Sequence, residues 1–261
     1  MTTARALTAL TRTLKPLDAY ALAVGDDALI ASHRLSEWLT HAPDLEEEVA
    51  LANIALDQLG QARFLLGYAG RSSGLTEDEL AYQRSDREYR NCLLAELPNG
   101  DFAHTVLRLL FFSTYQRQLY AALGESADDE LAAFAKKASV EVDYHCEYAV
   151  SWTLRLGDGT EESHDRAAAA LEELWPYTAE LFAEDDLLAG LAADGLVPGP
   201  DRLHGPWMEQ VTGVLAEATL GPAPSATRRP GGGRNGLHTE ALSYLLAEMQ
   251  SVYRAHPGAA W

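Results

Sequence analysis

The sequence contains few cysteines and few basic residues. Its 261 residues include only Cys92 and Cys146, with no Cys-x-x-Cys pair, which argues against a disulfide framework or a structural zinc site. Lysine and arginine together number 20 against 39 acidic residues, giving a formal charge of −19. Because nucleic acids and anionic lipids repel a chain with this charge, neither is an expected partner.

Long apolar runs are also missing. No segment approaches the roughly 20 consecutive apolar residues that a membrane-spanning helix needs. Basic residues interrupt the N-terminal stretch where the apolar core of a signal peptide would lie. Hydrophobic residues nevertheless make up 47% of the chain, which is enough for a sizeable core. We therefore expect a folded cytoplasmic protein that contacts neither membranes nor nucleic acid.

The prevailing pattern is helical. Segments without Gly or Pro repeat apolar residues every three or four positions, and alternating strand patterns are rare. Short turns join the first helices in pairs, which predicts an all-α, ferritin-like antiparallel four-helix bundle with additional C-terminal helices. No linker divides the chain, so we expect a flexible tail over residues 1–16 and a single domain over 17–261. The predicted bundle helices span 17–40, 45–70, 101–123 and 128–155, and the later helices span 161–184 with a break at Pro176, 207–220 and 239–254.

Polar residues interrupt the apolar stripes in the middle of this bundle. Asp57 is the only charged residue between positions 49 and 62, so we expect it to be buried or half-buried. Residues equally far from the turn of a hairpin face each other. This rule sets Asp57 opposite Asp27, and Glu141 opposite Ser113. With their polar neighbours, the candidate residues at this level of the bundle are Asp26, Asp27, Asp57, Gln61, Ser113, Glu141 and His145.

These positions resemble a di-metal site from which ligands are missing. Ferritin-like di-iron and di-manganese sites use one Glu from each of two helices and Glu-x-x-His from each of the other two. In this chain Gly60 and Tyr144 occupy the histidine positions, and Ser113 occupies a bridging-carboxylate position. We therefore interpret the set as a hydrogen-bonded remnant of a metal site that binds no metal. A catalytic di-metal oxidase with unorthodox ligands is the alternative.

A glycine-rich segment carries a cluster of arginines. Residues 231–236 match the spacing G-x-G-x-x-G, but no strand precedes them, so they are not a dinucleotide-binding fingerprint. A basic loop ahead of a helix could contact a phosphate group, whereas a flexible loop or a contact with a partner protein is the favoured interpretation. The candidate residues for such a contact are Arg228, Arg229 and Arg234.

Several separate blocks carry a family resemblance that spans nearly the whole chain from residue 17. They are HAPDL at 41–45, LANIALDQLGQAR at 51–63, LPNGDFA at 97–103, LWPYTAELF at 174–182, GLHTE at 236–240 and LAEMQ at 246–250. In this order, the blocks resemble the PaaC-type subunits of bacterial phenylacetyl-CoA epoxidases.

The resemblance implies a ferritin-like subunit with no catalytic residue and no cofactor of its own. In that family a related catalytic subunit carries the di-iron site and binds phenylacetyl-CoA. A reductase subunit with flavin and an iron–sulfur cluster supplies electrons from NADPH, and the complex uses O2 to epoxidise the aromatic ring. The expected partners are therefore the catalytic subunit and the other epoxidase subunits, including the reductase, and self-association is left open.

Overall fold

A computed structural model describes residues 14–225, 229–256, 258 and 259. Within these ranges the chain forms eleven α-helices and four short 3-10 helices, with no strand. The prediction of an all-α protein is confirmed, and the two helical hairpins that a ferritin-like bundle requires are both present. Residues 1–13, which make up most of the predicted flexible tail, lie outside the described residues.

The chain divides into two compact units, one formed by residues within Met1–Pro98 and Gly231–Trp261, and the other by Asn99–Pro230. The two units are defined by the contacts between their residues, and this does not show that either unit folds by itself. The single domain over 17–261 therefore stays a prediction. The first unit contains α1 (Pro16–Ser36), α2 (Leu45–Gly70), α3 (Glu77–Tyr82), α4 (Leu93–Glu96), α10 (Glu240–Met249) and α11 (Ser251–Ala255). The second contains α5 (Phe102–Leu123), α6 (Asp129–Gly157), α7 (Glu161–Leu174), α8 (Asp186–Ala193) and α9 (Pro200–Glu217).

The hairpin of α1 and α2 is the centre of the first unit. Gly25 of α1 lies so close to α2 that an added Cβ would stand 3.1 Å from the Cβ of Leu65. The Ser32 hydroxyl also crosses the hairpin and donates a hydrogen bond to the Ala55 carbonyl at 2.7 Å. The C-terminal segment returns to this unit, where the buried Gln250 amide donates to the carbonyls of Ala81 and Arg84 at 3.0 Å each.

The hairpin of α5 and α6 is the centre of the second unit. Asp101 caps α5 by accepting the His104 N–H at 2.9 Å. Asp128 caps α6 in the same way, accepting the Leu131 N–H at 2.9 Å. Helices α7 and α9 pack against α5, and the buried Trp207 indole of α9 donates to the Phe111 carbonyl at 2.9 Å.

Sequence reasoning was wrong about the elements between residues 184 and 207. α8 was not predicted, and α9 begins at Pro200 instead of Trp207 because a proline in the first turn of a helix lacks only an N–H that has no partner there. The predicted break at Pro176 is confirmed, since α7 ends at Leu174 and a 3-10 helix follows. None of the described helices is both long and apolar enough to cross a membrane.

Candidate functional site

Two neighbouring carboxylates in the middle of α1, Asp26 and Asp27, are almost completely buried, with 0% and 1% of their surface exposed. Asp26 forms a two-pronged ion pair with Arg84, whose side chain is also completely buried. Its Oδ2 accepts one Arg84 Nη1 hydrogen at 2.8 Å and the Arg90 backbone N–H at 2.8 Å. Burial lowers the pKa of Arg84, but the charge and hydrogen bonds of Asp26, together with Tyr89 and Glu88, raise it by more, so the guanidinium stays charged.

Asp27 forms a second two-pronged ion pair with Arg234. The Arg234 Nη2 lies 2.6 Å from Asp27 Oδ2, and Nη1 lies 3.0 Å from Oδ1. The backbone N–H of Cys92 also donates to Oδ1 at 2.7 Å. Burial raises the pKa of Asp27, an effect that Arg234 and the Cys92 amide oppose. Asp26 and Asp27 are therefore each neutralised by an arginine, and each accepts at least three hydrogen bonds.

The glycine-rich loop 231–236 brings Arg234 to this position. An added Cβ on Gly233 would lie 2.2 Å from the Asn91 carbonyl oxygen, and one on Gly236 would lie 2.2 Å from the Arg87 carbonyl oxygen. Glycine is therefore needed at both positions for the loop to lie against the backbone of residues 87–91. Arg234 also donates to the Arg90 carbonyl at 2.8 Å. The structure thus gives Arg234 an internal contact with Asp27, and the contact with a phosphate or a partner considered for it stays a prediction.

A third buried pair joins Glu96 to His238. The side chains are 0% and 3% exposed, and His238 Nδ1 lies 2.6 Å from Glu96 Oε2. His238 Nε2 lies 3.0 Å from the Tyr89 carbonyl oxygen. Because the carboxylate and the carbonyl can only accept, these two contacts favour an imidazolium at His238 that donates from both nitrogens. Burial lowers the pKa of His238, but the hydrogen bond and charge of Glu96, together with the Tyr89 carbonyl and the charge of Asp26, raise it by more.

The three pairs leave this region without open metal ligands. A metal ion would have to displace a guanidinium from Asp26 or Asp27, and the arginine would then be left without its carboxylate. Across the residues that the structure describes, no three His, Cys, Asp or Glu side chains come together in an arrangement suited to a metal ion. What this geometry does is hold irregular segments against α1 through Asp26 and Asp27, and against α4 through Glu96.

The other candidate residues of the predicted metal remnant lie on α2, α5 and α6. Asp57 and Glu141 are half-buried, whereas Gln61, Ser113 and His145 are buried. The Ser113 hydroxyl donates to the Leu109 carbonyl of its own helix at 2.7 Å. The hydrogen-bonded network proposed for Asp57, Glu141 and His145 stays a prediction.

Of the remaining arginine candidates, Arg228 lies outside the described residues, and Arg229 is exposed. Arg229 lies at the edge of a cavity of about 440 Å³ in the second unit, whose other lining residues include Trp175, Phe182, His204, Trp207 and Met208. Arg229 is therefore not one of the arginines that form the buried pairs of the first unit.

Sequence reasoning missed Arg84, Glu96 and His238. All three lie in or beside irregular segments, where no helical period indicates which residues face inward. Glu96 and His238 are 142 positions apart in the chain, and Asp27 and Arg234 are 207 apart. Of the three missed residues, only His238 had a signal, and it was indirect: His238 lies two residues after the glycine-rich segment 231–236, which matches G-x-G-x-x-G but has no strand before it.

The family model for phenylacetic acid catabolic proteins matches residues 1–261 of this chain. The chain belongs to that family. It is similar to the subunit designated C of the 1,2-phenylacetyl-CoA epoxidase of Escherichia coli strain K12, with 44% identity over 250 residues, covering 95% of this chain and all of that protein. The resemblance drawn from the sequence blocks is therefore confirmed.

Proposed function

We propose that this chain is a structural, non-catalytic subunit of a phenylacetyl-CoA epoxidase complex in aerobic phenylacetate degradation. Its task is to bind and support a catalytic subunit that carries the di-iron site and the substrate. The flavin and the iron–sulfur cluster belong to a reductase subunit. The similarity to a subunit of the Escherichia coli epoxidase supports membership of such a complex.

The observation that carries the non-catalytic role is the state of Asp26 and Asp27. Carboxylates at the centre of a helical bundle are the ligands that a di-iron site requires. In this chain Arg84 binds Asp26 and Arg234 binds Asp27, each through two hydrogen bonds. The arginines stabilise the carboxylates in the way that a metal ion would, and they supply no site for oxygen chemistry.

Exposed apolar residues support the binding role. Val140 and Tyr144 lie one turn apart on α6 and are 73% and 45% exposed. Apolar side chains on one face of a long helix gain free energy when another helix covers them. Such a contact would hold the metal-bearing helices of a partner in register without any chemistry in this chain.

The test replaces the two remaining acids of the candidate metal site. We expect the double variant Asp57→Asn with Glu141→Gln to co-purify with the catalytic subunit and to support epoxidation of phenylacetyl-CoA at close to the wild-type rate. Asp194→Asn, at an exposed position of the second unit, is the matched control. Loss of epoxidation in a complex that still assembles would overturn the proposal and favour the di-metal oxidase.

A further inference from the structure

The cavity of about 440 Å³ in the second unit lies between the 3-10 helix Trp175–Phe182 and the first half of α9. Three aromatic side chains, Trp175, Phe182 and Trp207, line it together with Met208. We call these three residues the aromatic wall. Small-molecule sites in proteins measure about 300–1,000 Å³ and are lined mainly by apolar and aromatic side chains. The volume of this cavity, toward the lower end of that range, suits a compact ligand.

The aromatic wall is held in place by contacts within the second unit. The ring centroids of Phe182 and Trp175 lie 5.2 Å and 5.7 Å from that of Trp207. The Trp207 indole donates to the Phe111 carbonyl at 2.9 Å, and the Thr178 hydroxyl donates to the Trp175 carbonyl at 2.8 Å. Because the rings are already packed against each other, a ligand would order few additional side chains when it binds.

The charged lining residues lie at the mouth of the cavity. Arg229 and Asp201 are exposed, whereas Trp175 and Trp207 are only 8% and 1% exposed. Among the lining residues that the structure describes, Arg229 is the one with a permanent positive charge. Asp201 lies in the first turn of α9, where a carboxylate stabilises the positive end of the helix. Asp201 thus serves its own helix, and Arg229 is the group at the mouth that can bind an anion.

An aromatic wall below a guanidinium defines the chemistry of the ligand. A flat ring packs favourably against the faces and edges of Trp and Phe, and a carboxylate accepts two parallel hydrogen bonds from an arginine. A CoA thioester would bring several further negative charges to an acidic chain, and one arginine cannot balance them. The ligand that satisfies both parts of the site is therefore a free acid with one ring.

We propose that this cavity binds a small aromatic carboxylic acid, with the ring against the aromatic wall and the carboxylate on Arg229. The site consists of residues of the second unit alone. It is independent of the proposed epoxidase role, because it needs neither a catalytic subunit nor a metal ion.

Calorimetric titration of the purified chain with phenylacetate tests this site, and the phenylacetic acid of the family description suggests the probe. We expect saturable binding of one molecule per chain. Phenylacetamide, which has the same shape without the charge, should bind about tenfold more weakly, because hydrogen bonds between charged groups are stronger than those of neutral groups. The cation 2-phenylethylammonium should not bind. Absence of saturable phenylacetate binding, equal affinity for the amide, or tighter binding of the cation would each overturn the proposal.

Substitutions at the mouth locate the bound acid. Arg229→Met should weaken phenylacetate binding at least about tenfold. Asp201→Asn should tighten it about twofold, because it removes a negative charge near the carboxylate. Arg202→Met is the matched control, since Arg202 is an exposed arginine of α9 that pairs with Glu125 at 2.6 Å and does not line the cavity. Equal affinities of the Arg229→Met and Arg202→Met chains would overturn the proposal.

Phe182→Leu tests the aromatic wall separately. Leucine keeps this half-buried position apolar but removes the ring, so phenylacetate binding should weaken about two- to tenfold while the circular dichroism spectrum stays unchanged. A folded Phe182→Leu chain with wild-type affinity would contradict the aromatic wall. Arg229 is exposed, so the test at the mouth holds even if Phe182→Leu unfolds. All these titrations use the chain without its catalytic subunit, so their failure would leave the epoxidase role untouched.

Discussion

Arg84, Arg234 and His238 each place a cation beside a carboxylate that water hardly reaches. Such pairs contribute little compared with apolar residues of the same shape, but removing one partner leaves an uncompensated buried charge. The cost of each single substitution is therefore large and specific to the pair. This asymmetry makes the three pairs testable one residue at a time.

Arg234→Met should destabilise the chain by about 3–5 kcal/mol, because Asp27 would stay buried without its counter-charge. Urea denaturation followed by circular dichroism gives the free energy of unfolding. Arg229→Met, at an exposed position of the neighbouring loop, is the control and should stay within about 0.5 kcal/mol of wild type. Adding Asp27→Asn to Arg234→Met should recover part of the loss. An Arg234→Met chain as stable as the control would show that the buried pair does not hold the loop.

The Glu96–His238 pair predicts a pH dependence of stability. The pKa of His238 is raised above 6.5 in the folded chain, since burial, which lowers it, is outweighed by Glu96 together with the Tyr89 carbonyl and Asp26. Its stabilising contribution is therefore fully present below about pH 6.5 and is lost as the pH rises through the folded-state pKa.

The difference in unfolding free energy between wild type and His238→Gln should thus shrink as the pH is raised from about 6 to about 9. Urea denaturation at several pH values measures this difference. His204→Gln, at an exposed position, is the matched control. A difference that grows with pH would contradict a protonated His238 in the folded chain.

At the scale of the element, the glycine-rich loop 231–236 packs against another loop of the same chain. Gly232 and Gly236 have φ angles of 120° and 75°, which other residues rarely adopt. Gly233 and Gly236 touch backbone carbonyls of residues 87–91. The glycines thus allow the two loops to lie close together. Arg234, between Gly233 and Gly236, then forms the ion pair with Asp27 of α1.

Gly233→Ala should destabilise the chain by about 1–3 kcal/mol, the usual cost of forcing an atom into a packed site. The added Cβ would lie 2.2 Å from the Asn91 carbonyl oxygen, so the loop would have to shift and carry Arg234 away from Asp27. Gly190→Ala on α8 is the control, because its Cβ would meet nothing within 4 Å. Thermal unfolding compares the two, and equal melting temperatures would refute the close-approach argument.

Predictability from the sequence differs between helices and loops. The predicted span 45–70 agrees with α2 at both ends, because Pro43 and Asp44 mark its start and a polar, glycine-containing loop follows it. The sequence also placed Asp26 and Asp27 at the polar level in the middle of the bundle, where both are buried. Their counter-ions could not be predicted, since Arg84 and Arg234 lie in irregular segments far along the chain. The helical spacing of apolar residues does not indicate which helix a residue in an irregular segment contacts.

In the whole molecule, acidic residues outnumber basic residues by 19, and some of the basic residues are used inside the structure. Two of the 20 basic residues, Arg84 and Arg234, form ion pairs with buried carboxylates of α1. Arg234 is the arginine of the glycine-rich loop 231–236. An acidic surface is a poor binding site for a negatively charged CoA thioester. The charge therefore agrees with a subunit that supports catalysis in a partner.

Metal content is the most direct test of the non-catalytic role. The chain is purified alone and together with the catalytic subunit, both preparations are incubated anaerobically with ferrous iron and desalted, and iron per chain is measured by mass spectrometry. We expect far less than one iron per chain in the chain alone, and iron in the complex in proportion to the catalytic subunit. Stoichiometric iron retained by the chain alone would contradict the account.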